Sequence, residues 1–248
     1  TALRNPFRIK VRPGANNEIW IGDVGWNDWE EINVIDNTTD GVLRNFGWPC
    51  YEGNGRQAGY EAAAIPICQA LYGTPDAVTP PYHAYSHAAK VLPNDPCPTG
   101  SSAIAGVAIQ FYSGSAYPSK YNGALFFADY SRKWIWAMTN GTNGKPNPAS
   151  IENFAVNAAG PVDLQISPNG ELFYVDLDFG SIRRIQYTSA ANRPPTAIIA
   201  TSATSGSAPL TVNFNGAGSS DPDAGDYLSY AWDLDGNGIF DNGNAAQS

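Results

Sequence analysis

One pattern occurs three times in this chain and restricts what it can fold into: an apolar strand, an aspartate at its end, a turn and a second strand. Ile19-Trp20-Ile21 stops at Gly22-Asp23, and after a loop holding Gly25, Trp26, Asp28, Glu30 and Glu31 the run Ile32-Asn33-Val34-Ile35 follows. Gly123 to Asp129 leads in the same way to Trp134-Ile135-Trp136-Ala137-Met138, and Gly170 to Asp176 leads to Ser181-Ile182-Arg183-Arg184-Ile185. An aspartate at a strand end is suited to accept backbone N–H groups of the turn. Asp129 and Asp176 stand 47 positions apart, close to the roughly 40 to 50 residues of one four-stranded propeller blade. Asp23 and Asp129 stand 106 apart, room for two blades and an insertion. The pattern predicts an all-β chain built from β-propeller blades.

The totals agree with that class. A chain of 248 residues that is 43% hydrophobic and 12% aromatic can bury a sizeable core in one or two domains. Its 25 Gly and 19 Pro suit many short strands joined by turns. A net charge of −9 argues against a nucleic-acid or anionic-membrane surface, both of which need basic patches. No apolar run approaches the roughly 18 residues of a membrane span. Thr1 opens on structured-looking sequence without a signal peptide, so an export signal is expected to have been removed or to lie upstream. Of the three cysteines, Cys50 and Cys68 flank a Gly-rich loop, and a bridge there would stabilise by roughly 3 kcal/mol in the chain-entropy model. That pairing is favoured, with Cys97 left over and a secreted location implied. Cys68 with Cys97, or Cys50 with Cys97, remain open alternatives.

Further organisation is visible along the chain. Phe7, Ile9 and Val11 alternate with basic residues as in a strand with one apolar face. Residues 51 to 100 form an insertion with a short helix expected around Ile67 to Tyr72, and 101 to 112 form a buried strand of small residues. Residues 188 to 196, with a proline pair, make a stiff linker between a first domain, 1 to 187, and a second, 197 to 248. Short strands are expected at 197 to 200, 210 to 214 and 228 to 232, the beginning of a β-sandwich.

Leu3-Arg4-Asn5-Pro6, Ile21-Gly22-Asp23-Val24-Gly25, Glu30-Glu31-Ile32-Asn33, Asn45-Phe46-Gly47-Trp48-Pro49 and Pro161-Val162-Asp163-Leu164 occur in an order that resembles the soluble pyrroloquinoline-quinone (PQQ) dependent glucose/sorbosone dehydrogenase family. The resemblance covers residues 1 to 187 and implies part of a six-bladed β-propeller, the remainder lying in a longer parent protein. Asn192 to Ala197, Ala208-Pro209-Leu210, Gly218 to Asp223 and Tyr230-Ala231-Trp232-Asp233 resemble a PKD domain, an immunoglobulin-like β-sandwich, here incomplete.

By that resemblance the carbonyls of Gly25 and Trp26 would ligate the calcium that holds the quinone. Glu31 and the Phe46 carbonyl would belong to a structural calcium site, in keeping with the hard oxygen ligands calcium takes. Arg4 and Asn5 would contact the quinone, the guanidinium forking onto a carboxylate. The chain also departs from the family. Trp26 stands where proline is usual, Ser131 replaces a lysine with Arg132 and Lys133 beside it, and Gly160 and Val162 replace two arginines. The family's catalytic histidine belongs to a part of the propeller outside this chain, so no catalytic residue is assigned. His83 and His87 read as structural or loop residues.

A second calcium motif is read from spacing. Asp233, Asp235, Asn237 and Asp241 take positions one, three, five and nine of a calcium loop, with Gly238 at six and the Ile239 carbonyl at seven, inside Asp233-Leu234-Asp235-Gly236-Asn237-Gly238-Ile239-Phe240-Asp241. Asn244 stands where a bidentate glutamate would close the loop, which implies roughly millimolar affinity; the alternative is a Gly-rich aspartate turn. Two functions follow: a secreted PQQ-dependent sugar dehydrogenase-like protein, inactive as this chain alone, or a non-catalytic extracellular propeller that binds carbohydrate or protein.

Overall fold

The computed structural model describes residues 2–15, 17–96, 107–188, 193–222, 228–240 and 243. The chain divides into two compact units, Thr1–Tyr187 and Thr188–Ser248.

The first unit opens with β1 (Pro6–Val11), β2 (Ile19–Asp23) and β3 (Trp29–Ile35). A hairpin of β4 (Tyr51–Glu52) and β5 (Gly55–Arg56) follows, then helices α1 (Ala58–Ala62) and α2 (Pro66–Tyr72), and β6 (His83–Ser86) returns to the sheet. The first sheet therefore has the order β1-β2-β3-β6, antiparallel throughout. The insertion is shorter than the sequence suggests, because His83 to Ser86 supply the fourth strand. A second sheet comprises β7 (Val107–Phe111), β8 (Leu125–Asp129), β9 (Trp134–Asn140) and β10 (Pro146–Ala155), and a third comprises β11 (Pro161–Ile166), β12 (Leu172–Asp176) and β13 (Ser181–Ile185). The part of the expected strand at 101 to 106 lies outside the described residues. The first strand of the middle sheet packs between the first strands of its two neighbours, β1 and β11. Three consecutive meanders arranged in this way are propeller blades.

The middle sheet is buried on both faces, and its side chains divide by the two-residue period of a strand. Leu125 and Phe127 of β8, with Trp134, Trp136 and Met138 of β9, meet Trp20, Ile32, Val34 and Tyr85 of the first sheet. Phe126, Ala128, Ile135 and Ala137 face the other way, against Leu164, Leu172 and Tyr174 of the third. Each large side chain so buried contributes roughly 1.5–3 kcal/mol. The indole N–H groups find partners: Trp136 donates to Asp95 at 2.8 Å and Trp134 to Asn153 at 2.7 Å. Ile9 and Val11 of β1 are more than half exposed, so the apolar face expected there is open, while Arg8 reaches across to Asp163 of β11 at 3.0 Å.

The aspartate that ends each second strand has a recurring task. Asp23 accepts the backbone N–H of Arg4 and of Asn5, at 3.0 and 2.6 Å. Asp176 accepts the N–H of Gly160 at 3.0 Å and of Asp178 at 3.1 Å. Asn5 and Gly160 each precede the proline that starts the first strand of their sheet, so the carboxylate ties the entry of the blade to its second strand. Proline is tolerated there because it opens the strand. Asp129 takes the turn N–H of Arg132 at 2.9 Å and the Tyr85 hydroxyl, from the neighbouring sheet, at 2.9 Å.

Among the described residues of the second unit, strands form at β14 (Ala200–Thr201) and β15 (Phe214–Asn215), with a further bridge between Thr196 and Ser220. Residues 228 to 232 form no strand, contrary to the alternation of their sequence. A strand needs a partner ladder, and among the described residues none lies beside them. Trp232 is nonetheless buried, 6.2 Å from the Phe214 ring.

Cys50 and Cys68 are joined, as the Gly-rich loop between them favoured, and Cys97 lies outside the described residues. The bridge fastens α2 to the segment before β4. Replacing both cysteines by serine should lower the unfolding free energy by about 3 kcal/mol, read from the urea midpoint; an unshifted midpoint would show that α2 docks without the bridge.

Candidate functional site

The loop between β2 and β3 carries most of the candidate residues, and its shape is set by carboxylates beneath it. Glu52, 4% exposed, places one oxygen, Oε1, under four consecutive backbone N–H groups, those of Trp26, Asn27, Asp28 and Trp29, at 2.7 to 3.2 Å. Such a nest of N–H groups is an anion cradle. Gly25 is obligatory at its start, since a Cβ there would fall 1.5 Å from the Trp29 carbonyl oxygen. No motif pointed to Glu52, whose partners lie more than twenty positions away.

Glu30 is fully buried and accepts from the Gly25 N–H at 3.2 Å. Its other oxygen meets His87 Nε2 at 2.7 Å, and His87 Nδ1 lies 2.9 Å from the Asn27 carbonyl. A carbonyl can only accept, so Nδ1 carries a proton, and one further proton is held between Nε2 and Glu30. Burial raises the Glu30 carboxyl to about 7 against the hydrogen bond from His87. Burial pulls His87 down, but the bond and charge of Glu30 outweigh it and the imidazole is raised. His87 is thus part of the loop's support, and His83 is a separate core residue between Tyr85 and Phe127.

Glu31 accepts from the Gly53 N–H at 2.6 Å and from the Asn33 amide at 2.8 Å. Burial raises its carboxyl to about 7, with the charges of Asp23 and Glu52 adding to the shift. Two buried oxygens beside it, Glu52 Oε2 and Asn33 Oδ1, have no hydrogen-bond partner. Phe46 is buried and its carbonyl accepts no backbone hydrogen bond among the described residues. A buried surplus of carboxylate with orphaned oxygens suits a hard cation. No cluster of three or more His, Cys, Asp or Glu converges on a metal position among the described residues, so carbonyl oxygens would have to complete the ligand set.

The quinone-side residues behave differently. Arg4 Nη1 donates to the carbonyls of Val24 at 3.1 Å and Gly25 at 2.7 Å, so the Gly25 oxygen expected on calcium carries a guanidinium instead. Asn5 contributes its backbone to Asp23 and Val24. Arg132 is buried against the carbonyls of Ser86 and Ala89, and Lys133 is paired with Asp178 at 2.6 Å. Trp26 is 43% exposed, and its ring meets those of Trp48 and Tyr60 at 5.8 and 5.7 Å between centroids.

In the second unit, Asp233 accepts from the N–H groups of Gly236, Asn237 and Gly238, and Asp235 from that of Asn237. Both carboxylates are turned inward on the loop's own backbone, as in an aspartate turn. Asp241 lies outside the described residues.

No family model matches the chain, and no curated protein matches it. Solved structures do. One glucose dehydrogenase structure is 18% identical, with a TM-score of 0.51 over 75% of this chain and 45% of its own. A second is 19% identical, with a TM-score of 0.51 over 75% of this chain and 44% of its own. The chain therefore spans less than half the length of these structures, and the likeness establishes its all-β, sugar dehydrogenase-like propeller fold.

Glu52→Ala would strand four loop N–H groups and should cost about 2 kcal/mol, with faster hydrogen exchange confined to residues 26 to 29; unchanged exchange would mean that Gly25 and Glu30 suffice to shape the loop. His83 gives a pH test. Burial lowers it from 6.5 to about 4, so between those values the unfolded chain binds more protons. Stability should then fall as pH drops through that window, by up to about 1.4 kcal/mol per unit. His83→Phe should flatten this part of the wild-type profile; an unaltered slope would assign acid sensitivity to other groups.

Proposed function

We propose that the chain is the sugar-facing part of a secreted, sugar dehydrogenase-like propeller, inactive by itself because the family's catalytic base belongs to the rest of the parent protein. The observation that carries this reading is the gathering of Arg4, the Gly25–Trp29 loop and Trp48 at the same end of β1 and β2. The second unit would be a PKD-type spacer. No helix among the described residues is long and apolar enough to cross a membrane.

The two implied groups fare unequally. Calcium suits the buried oxygens around Glu31, where Glu52 Oε2 and Asn33 Oδ1 lack partners; by the family resemblance the Phe46 carbonyl would join as a hard ligand, and the cation's charge would offset neighbouring carboxylates. PQQ does not suit the residues present. Its carboxylates call for several cations, yet Arg132 and Lys133 are engaged internally, Gly160 and Val162 are uncharged, and Arg4 caps the carbonyl meant for a metal. The same consumption of cations favours the second reading, a propeller that binds carbohydrate without oxidising it.

The decisive experiment is calorimetric titration of PQQ with and without calcium, followed by dye reduction over a panel of aldoses. No turnover is expected from this chain; calcium-dependent PQQ binding with turnover would overturn the assignment. Calcium should raise the melting temperature in a way that EGTA reverses and Glu31→Gln abolishes. An equal rise in Glu31→Gln would place the cation elsewhere, the Asp233 loop being the first place to look.

A further inference from the structure

We propose that Trp26, Trp48 and Tyr60, together with the Arg4 guanidinium, form a platform for a carboxylated sugar ring, a uronic-acid unit of an acidic saccharide. The inference rests on the sugar-facing reading above and narrows it to a ligand class.

The three rings come from separate parts of the chain: the loop after β2, the segment before β4, and α1. They meet at 5.7 to 5.9 Å between centroids. Each is anchored before any ligand arrives. The Trp26 N–H sits on Glu52, the Trp48 N–H donates to the Ala2 carbonyl at 3.0 Å, and the Tyr60 N–H donates to the side chain of buried Gln57 at 2.9 Å. The Cys50–Cys68 bridge holds the Trp48 segment against α2. A site built in advance loses little ordering entropy on binding. Core packing does not explain the cluster, since Trp26 is 43% exposed and Trp48 and Tyr60 are only half-buried. Exposed indole and phenol rings offer apolar faces to the C–H face of a pyranose and leave its hydroxyls in water.

Charge selects the ligand. The Arg4 guanidinium lies 5.7 Å from the Trp48 ring centroid, anchored through Nη1 on two neutral carbonyls. Asp23 spends its oxygens on the backbone of Arg4 and Asn5 rather than on the guanidinium. Arg8, Arg12, Arg44, Arg56 and Arg183 are each paired with a carboxylate, and Arg4 makes no such pair among the described residues. In a chain of net charge −9, an exposed arginine without a counter-ion beside stacking rings is complementary to a ring that carries its own carboxylate.

The test is titration of the 248-residue chain with trigalacturonate and with maltotriose, followed by tryptophan fluorescence and calorimetry. The acidic trimer should bind saturably and at least about tenfold tighter than the neutral one. Trp26→Ala should weaken it by at least about tenfold with the melting temperature unchanged. Arg4→Gln should remove the preference for acid, while Arg4→Lys retains part of it. Equal binding of the two trimers, or full affinity in Trp26→Ala, overturns the platform and leaves the sugar-facing reading standing. Failure of both trimers to bind overturns the platform and the sugar-facing reading together.

Discussion

The blades of this protein depend on a carboxylate at the end of each second strand. Asp23 and Asp176 each reach back to the backbone just ahead of the proline that opens their own sheet, and Asp129 reaches the Tyr85 hydroxyl of the sheet before it. These are charge-assisted bonds in sites closed to water, where a missing partner is costly. They set the register in which the sheets stack, and the two apolar layers on either side of β8 and β9 follow from that register.

Around the Gly25–Trp29 loop the same chemistry is used more densely. Glu30, Glu31 and Glu52 all lie beneath one short connection, bound by backbone N–H groups, an amide and an imidazole. The arrangement holds exposed Trp26 and the Arg4 guanidinium in fixed positions over buried carboxyl groups. Arg132 and Lys133, the cations nearest the departures from the family's motifs, are engaged within the fold.

Much of the fold was legible because strand periodicity and turn chemistry are local. The runs ending at Asp23, Asp129 and Asp176 became β2, β8 and β12, and the favoured cysteine pairing formed. What could not be read involved distant partners. His83 to Ser86 looked like insertion until they paired with β3, and residues 228 to 232 looked like a strand though no ladder adjoins them among the described residues. Glu52 and Gln57 carried no motif at all, since their roles lie in which backbone groups surround them.

By itself the sequence determined the all-β class, the blade repeat and the placement of the aspartates, because each is encoded within a few residues of itself. Only the tertiary structure decided what the motifs face. Folding put the Gly25 carbonyl under Arg4, committed Arg132 and Lys133 to internal partners, and brought Trp26, Trp48 and Tyr60 together. Hydrogen bonds and charge pairs act over a few ångströms of space, and no spacing along the chain records which groups folding will bring within that reach.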